Sequence, residues 1–136
     1  MQEIGQILEE AEVIAVVGLS DNPDRPSFQV ASYLLGHGYK IIPVNPSIAE
    51  WRGIKSYPSL LEITEKIDIV DIFRRSEHMP EIVEQAIRIN AKTVWMQLGL
   101  VNAEAAKKAE EAGLNVVMDK CMKIEHSARL STHGGF

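Results

Sequence analysis

The sequence predicts an α/β fold: a doubly wound parallel sheet in a single domain. Three observations carry that expectation. Five short apolar runs, at residues 13–17, 40–44, 69–73, 93–97 and 115–118, are nearly continuous, as strands buried on both faces are. Segments with helical spacing separate them, and strand–helix alternation builds a sheet covered on both sides. No repeat, linker or low-complexity stretch divides the 136 residues, and that length suits one compact core.

In chain order, Ile4, Ile7 and Leu8 mark a short amphipathic helix before the first strand. A helix over about 27–35 buries Val30, Ala31, Leu34 and Leu35, and Gly36-His37-Gly38 stops it, since glycine readily takes a left-handed conformation there. Ser59 through Glu62 has capping-box spacing and predicts a short helix. Ile82, Val83, Ala86, Ile87 and Ile89 form the stripe of another helix. Asn102 and Gly113 bracket the next one, and residues 121–130 close the domain, leaving 131–136 as a tail. A short extra strand is expected near Gly53-Ile54-Lys55. With right-handed crossovers this is a Rossmann-like three-layer sandwich. The expected order of the five main strands is 3-2-1-4-5, with 2-1-3-4-5 an alternative that periodicity alone does not separate.

Composition narrows the function classes. Hydrophobic residues at 46% and charged residues at 24% are ordinary for a globular domain. A net charge of -5 with no dense Lys/Arg face argues against a nucleic-acid partner, though it leaves room for a local basic pocket. No apolar run approaches the ~18 residues of a membrane span, so no membrane partner is expected. No basic stretch followed by an apolar run opens the chain, and a cytoplasmic protein is the expectation. Cys121 stands alone, which excludes an internal disulfide, and the four histidines lack metal-ligand spacing. No catalytic set is evident. Self-association stays open.

In doubly wound sheets ligands bind at the carboxyl ends of the strands. The first such end carries Gly18, Leu19 and Ser20, then Arg25, Pro26 and Ser27. Gly18 allows a tight turn, Ser27 is expected to cap the helix, and the helix start with Arg25 suits an anion. It is neither a GxGxxG loop nor a P-loop. The second strand ends in Val44-Asn45-Pro46, where an NAD-binding unit would carry an acid for the ribose hydroxyls. The third ends in Phe73-Arg74-Arg75, whose guanidiniums match phosphate oxygens; solvated loop charges are the alternative. The fourth ends in Met96-Gln97-Leu98, where Gln97 suits a ligand amide or loop backbone. Trp95 is expected in the core, and Cys121 as a buried, inert thiol.

Together, Val16 to Ser20, Arg25-Pro26-Ser27, Val44-Asn45-Pro46, Asp71-Ile72-Phe73-Arg74, Trp95 to Gly99 and Asp119-Lys120-Cys121-Met122 resemble the small coenzyme A (CoA)-binding proteins. Those are related to the nucleotide-binding domain of the succinyl-CoA synthetase alpha subunit. The resemblance spans about residues 10–126. It implies CoA or acyl-CoA as ligand. Gly18 to Ser20 and Arg25 would hold pyrophosphate or pantetheine, Val44 to Pro46 the adenosine end, Phe73 and Arg74 the middle, and Met96 to Leu98 the remainder. The synthetase loop has a lysine where this chain has Ile48, so Arg25, Arg52 or Arg74 would have to meet the 3′-phosphate. The synthetase's phosphohistidine domain lies outside the resemblance, and its chemistry is not implied. The expectation is a non-catalytic CoA-binding or sensing module. The alternative is an NAD(P)-dependent oxidoreductase or another nucleotide-binding enzyme.

Overall fold

A computed structural model describes residues 1–133. In order, α1 (Ile4–Glu10), β1 (Val13–Val17), α2 (Pro26–Gly36) and β2 (Lys40–Val44) form the first half. A hairpin of β3 (Glu50–Trp51) and β4 (Ile54–Lys55) and a 3-10 turn (Leu60–Glu62) lead to β5 (Ile69–Ile72). A second 3-10 turn (Ser76–His78) precedes α3 (Met79–Arg88), β6 (Thr93–Met96), α4 (Ala103–Glu111), β7 (Asn115–Val117) and α5 (Met122–His133). The last helix runs three residues into the segment expected as a tail, and 134–136 lie outside the described residues.

The main sheet is parallel throughout, in the order β2-β1-β5-β6-β7. Counting main strands only, that is 2-1-3-4-5, so the expected order 3-2-1-4-5 is corrected. The reason lies in the segment after β2. It folds back along β2's outer edge, with Tyr57 N–H donating to Pro43 O at 3.0 Å and Asn45 N–H to Tyr57 O at 2.9 Å. That edge is therefore taken, and β5 pairs with the other side of β1. Pro43, which lacks a ladder donor, fits because β2 is the outermost main strand. At the far margin, Val116 N–H points to Met1 Sδ at 3.2 Å, and Gln2 N–H donates to Asn115 Oδ1 at 2.9 Å.

Alternation along the strands sorts the core into two layers. Ala15, Val17, Val70, Ile72, Val94 and Met96 face α3 and α4. Ile14, Val16, Ile69 and Trp95 face the layer that includes Val30, Ala31 and Leu34 of α2, Ile7 and Leu8 of α1 and Met122 of α5. Of the expected α2 stripe, Leu35 alone is only half-buried. Helix α4 starts as predicted, with Asn102 Oδ1 accepting from Ala105 N–H at 2.9 Å. The Ser59 turn is a 3-10 helix capped on Leu61 N–H at 3.1 Å. The hairpin turns through Arg52 and Gly53, both at positive φ, as a two-residue turn requires. Its Trp51 is buried, edge-on to Phe28 in the first turn of α2 at 5.5 Å, with the Arg52 guanidinium 5.6 Å from the Trp51 ring.

Candidate functional site

The chain leaves β1 toward β2 on one side and resumes at β5 on the other, so the loops after β1 and β5 part at their carboxyl ends. This is the switch point where open α/β sheets form a crevice. Gly18 stands there with φ +83, and a β-carbon on it would lie 2.4 Å from Phe73 O. Two backbones touch at this spot because one of them has no side chain. Gly18 N–H donates to Val44 O, and Phe73 N–H to Val17 O, each at 2.9 Å, so three strand ends are tied together.

The loop beyond Gly18 is ordered by its own polar groups. Ser27 is not the cap of α2, as the sequence suggested. Arg25 holds the N-cap position without a side-chain cap, Pro26 opens the helix, and buried Ser27 instead accepts from Ser20 N–H through Oγ at 3.0 Å. Pro26 is the physical reason: its fixed φ suits the first helical position, which puts Arg25 at the N-cap and leaves Ser27 inside the first turn. The first-turn amides and the positive end of α2 therefore remain without a side-chain acceptor, with exposed Arg25 beside them.

Asn45 is absorbed by structure. Its Nδ2 donates to Leu19 O at 2.9 Å and its Oδ1 accepts from Ser47 N–H at 2.8 Å. Both ends of the amide serve the loop, and Val44-Asn45-Pro46 carries no carboxylate to hold ribose hydroxyls. Leu19 and Val44 are buried core, whereas Pro46 is exposed.

A crevice of about 170 Å³ opens here, lined on one side by Gly18, Val44, Pro46 and Arg74. Its other side is Pro58, Ser59 and the α3 residues Glu81, Ile82 and Gln85, with His78 just before them. The sequence reading missed that second wall. Its visible signal was the Ser59 capping pattern, whose hydroxyl also donates to Gln85 Oε1 at 3.2 Å. Arg75 points elsewhere, 86% exposed and 3.9 Å from Glu77. Phe73 is half-buried against the α2 layer, Met96 is fully buried and Leu98 is 64% exposed. Gln97 is buried and bonded to Asp71, itself inaccessible.

Trp95 is core, its Nε1 donating to Lys120 O at 2.8 Å, and Cys121 is half-buried. His126 meets Tyr33 Oη at 2.9 Å rather than Cys121. A larger cavity of about 550 Å³ opens at the opposite ends of the strands, between α1, the end of α2 and α5, and none of the predicted site residues line it. Among the described residues there is no cluster of three or more potential metal ligands and no helix long and apolar enough to cross a membrane.

The chain is similar to known proteins in sequence and in fold. The chain is 49% identical over 125 residues to the uncharacterized protein YneT of Bacillus subtilis, covering 92% of this chain and 93% of that one. A hypothetical protein from Pyrococcus horikoshii OT3 superposes with a TM-score of 0.91 at 48% identity, over 93% of this chain and 89% of the other. The alpha subunit of the ADP-forming acetate–CoA ligase I of Pyrococcus furiosus is 31% identical over 123 residues, which are 82% of this chain but only 26% of that subunit. The model of the CoA binding domain family matches residues 12–127, nearly the whole sheet and its helices, and the chain belongs to that family.

Proposed function

We propose that this domain binds CoA, or an acyl ester of it, across the carboxyl ends of β1, β2, β5 and β6, and acts as a binding or sensing module rather than a catalyst. The observation that carries the reading is the Gly18 contact at the switch point, flanked by Arg74 and by the uncapped start of α2. A phosphate finds three things there: backbone that approaches closely, free amide donors at a positive helix end, and a guanidinium. Family membership and the likeness to a ligase subunit named for CoA support the same ligand.

In this reading Gly18 to Ser20 and the first turn of α2, with Arg25, Pro26 and Ser27 at its start, meet the pyrophosphate. Val44, Asn45 and Pro46 wall the adenosine end. Phe73 and Arg74 flank the middle, and Met96, Gln97 and Leu98 border the pantetheine through backbone and the Gln97 amide. Arg75 serves the outer field only, given its exposure and its place beside Glu77. Arg52, held over Trp51 next to the first turn of α2, joins Arg25 and Arg74 as a partner for the 3′-phosphate. The second strand end weighs against NAD, because it carries no acid and its Asn45 amide is engaged at both ends by the loop.

Isothermal titration with CoA, dephospho-CoA, NAD and NADP tests the reading. Saturable heat with CoA, at micromolar affinity or on the order of -8 kcal/mol, is expected. Saturable heat with NAD or NADP and none with CoA would replace it by the oxidoreductase reading.

A further inference from the structure

Under the rim of this site lies a buried acid that the binding reading leaves unused. Asp71 sits in β5 between Val16 of β1 and Trp95 of β6, on the face it shares with Ile69, and is fully buried. Its Oδ1 lies 2.5 Å from the Gln97 side-chain amide, while Oδ2 is sealed from solvent with no partner. The layer over that face holds Val30, Ala31 and Leu34 from α2, Ile7 and Leu8 from α1, and Met122 from α5. Its other titratable members are Cys121 at the start of α5, Tyr39, bonded to Leu8 O, and Tyr33 of α2. Burial and the Gln97 bond are what act on the Asp71 carboxyl, with no charge partner of either sign beside it among the described residues.

A carboxylate there would strand half its charge. A neutral acid fits better: one oxygen carries the proton and donates, and the other is a carbonyl whose lack of a partner costs far less. Burial, opposed by the Gln97 bond, raises the Asp71 pKa to about 7. A 2.5 Å separation lies at the short limit of O–H···O bonds and below the usual range of N–H···O bonds. The nitrogen and oxygen of an amide exchange places by a half-turn about Cγ–Cδ. The far end of the Gln97 amide has no protein partner among the described residues, and Gln97 directly follows β6, between its last residue, Met96, and the exposed Leu98 at the rim.

We propose that the proton on Asp71 decides which end of the Gln97 amide faces the rim. When Asp71 is neutral, its Oδ1–H donates to the Gln97 oxygen, and the Gln97 nitrogen turns outward as a donor for a carbonyl or phosphoryl oxygen of the ligand. When Asp71 releases that proton to solvent, the amide turns over, its nitrogen serves the carboxylate, and an oxygen faces the ligand instead. Asp71 is thus a positioning residue, and the inference rests on the CoA reading of the rim.

The test pairs ligand titrations with a spectroscopic readout that needs no ligand. For the unaltered protein, the Kd for CoA should rise about tenfold between about pH 6 and about pH 8.5, the effect of one hydrogen bond lost at the rim. Asp71→Asn should keep only the slope caused by titration of CoA itself. Gln97→Leu should bind about tenfold more weakly at the lower pH, with the same residual slope. In the free protein, the infrared carbonyl stretch of a protonated carboxylic acid should vanish as pH rises through about 7, be absent from Asp71→Asn, and track a shift of the Gln97 side-chain amide resonance. Parallel slopes in the unaltered protein and Asp71→Asn overturn the proposal, as does an Asp71 that titrates at the usual carboxylate pH. If CoA fails to bind at every pH, the ligand reading falls, while the infrared and amide titrations still decide whether the switch exists.

Discussion

Gly18 and Phe73 touch through their backbones, so closely that a single added carbon on Gly18 would sit 2.4 Å from the Phe73 carbonyl oxygen. Three strand ends converge on that contact, and the crevice forms above it. Gly18→Ala therefore carries two penalties, a positive φ and an overlap with backbone that cannot swing aside. A loss on the order of 3 kcal/mol is expected in chemical denaturation, with CoA affinity falling at least about tenfold. An alanine variant of native stability would show that the loop has slack the geometry does not suggest.

Arg74 lines the crevice from the end of β5 and forms no ion pair with a described residue. Arg74→Ala should leave the folding free energy within about 0.5 kcal/mol, since the side chain is exposed. It should weaken CoA binding by about 2 kcal/mol, the worth of a hydrogen bond to a charged group. Arg75→Ala, by contrast, should change affinity little at physiological salt. Equal losses for the two would place the phosphates outside the crevice.

Asp71 makes stability fall with pH in a defined window. Its folded pKa of about 7 lies above the ordinary aspartate value of 3.8, so the folded state binds the extra proton between those values. The stabilisation is complete below the lower value and is lost as pH rises through the upper one, on the order of 4 kcal/mol in all. Asp71→Asn should remove that slope and be the more stable protein at about pH 8. Urea melts across pH read it directly, and superimposed profiles would sink the assignment.

His126 works in the opposite direction. Partial burial, then the nearby His37, lowers its pKa from 6.5, so the unfolded chain takes the proton first as pH falls. Its stabilisation is present above the ordinary histidine range and is lost on acidification through the lowered value. The Tyr33, His37 and Tyr39 rings pack edge-on against it, Lys123 lies over the Tyr33 ring, and Arg129 lines the same cavity. His126→Phe keeps the ring contacts and should flatten the acid limb of a thermal-melt profile below about pH 6.

Element types were readable because patterning and capping are local. Near-continuous apolar runs specify doubly buried strands, and Asn102 caps α4 where its spacing says it should. Strand order was not readable, because it depends on whether β5 joins the outer edge of β2 or the free edge of β1. That was decided by Tyr57 and Pro43 closing β2's outer edge, a contact between residues with no shared pattern. At the site, Gly18, Val44, Pro46 and Arg74 came together as the sequence suggested, each being the residue at or just past a strand end. Ser27 changed role because Pro26 moved the helix start, and Gln97 turned inward because Asp71 waits one strand away. The α3 wall escaped notice, since nothing in a helix's own stripe says which of its exposed flanks overhangs a neighbouring loop.

The sheet is guarded at both margins, by Tyr57 along β2 and by the first two residues along β7. Those contacts occupy backbone groups at Pro43, Asn45 and Val116, so a strand added at either margin has to displace them. Trimming Met1 and Gln2 would expose one margin, and fibrillation in concentrated solution is the behaviour that such a shortened chain invites.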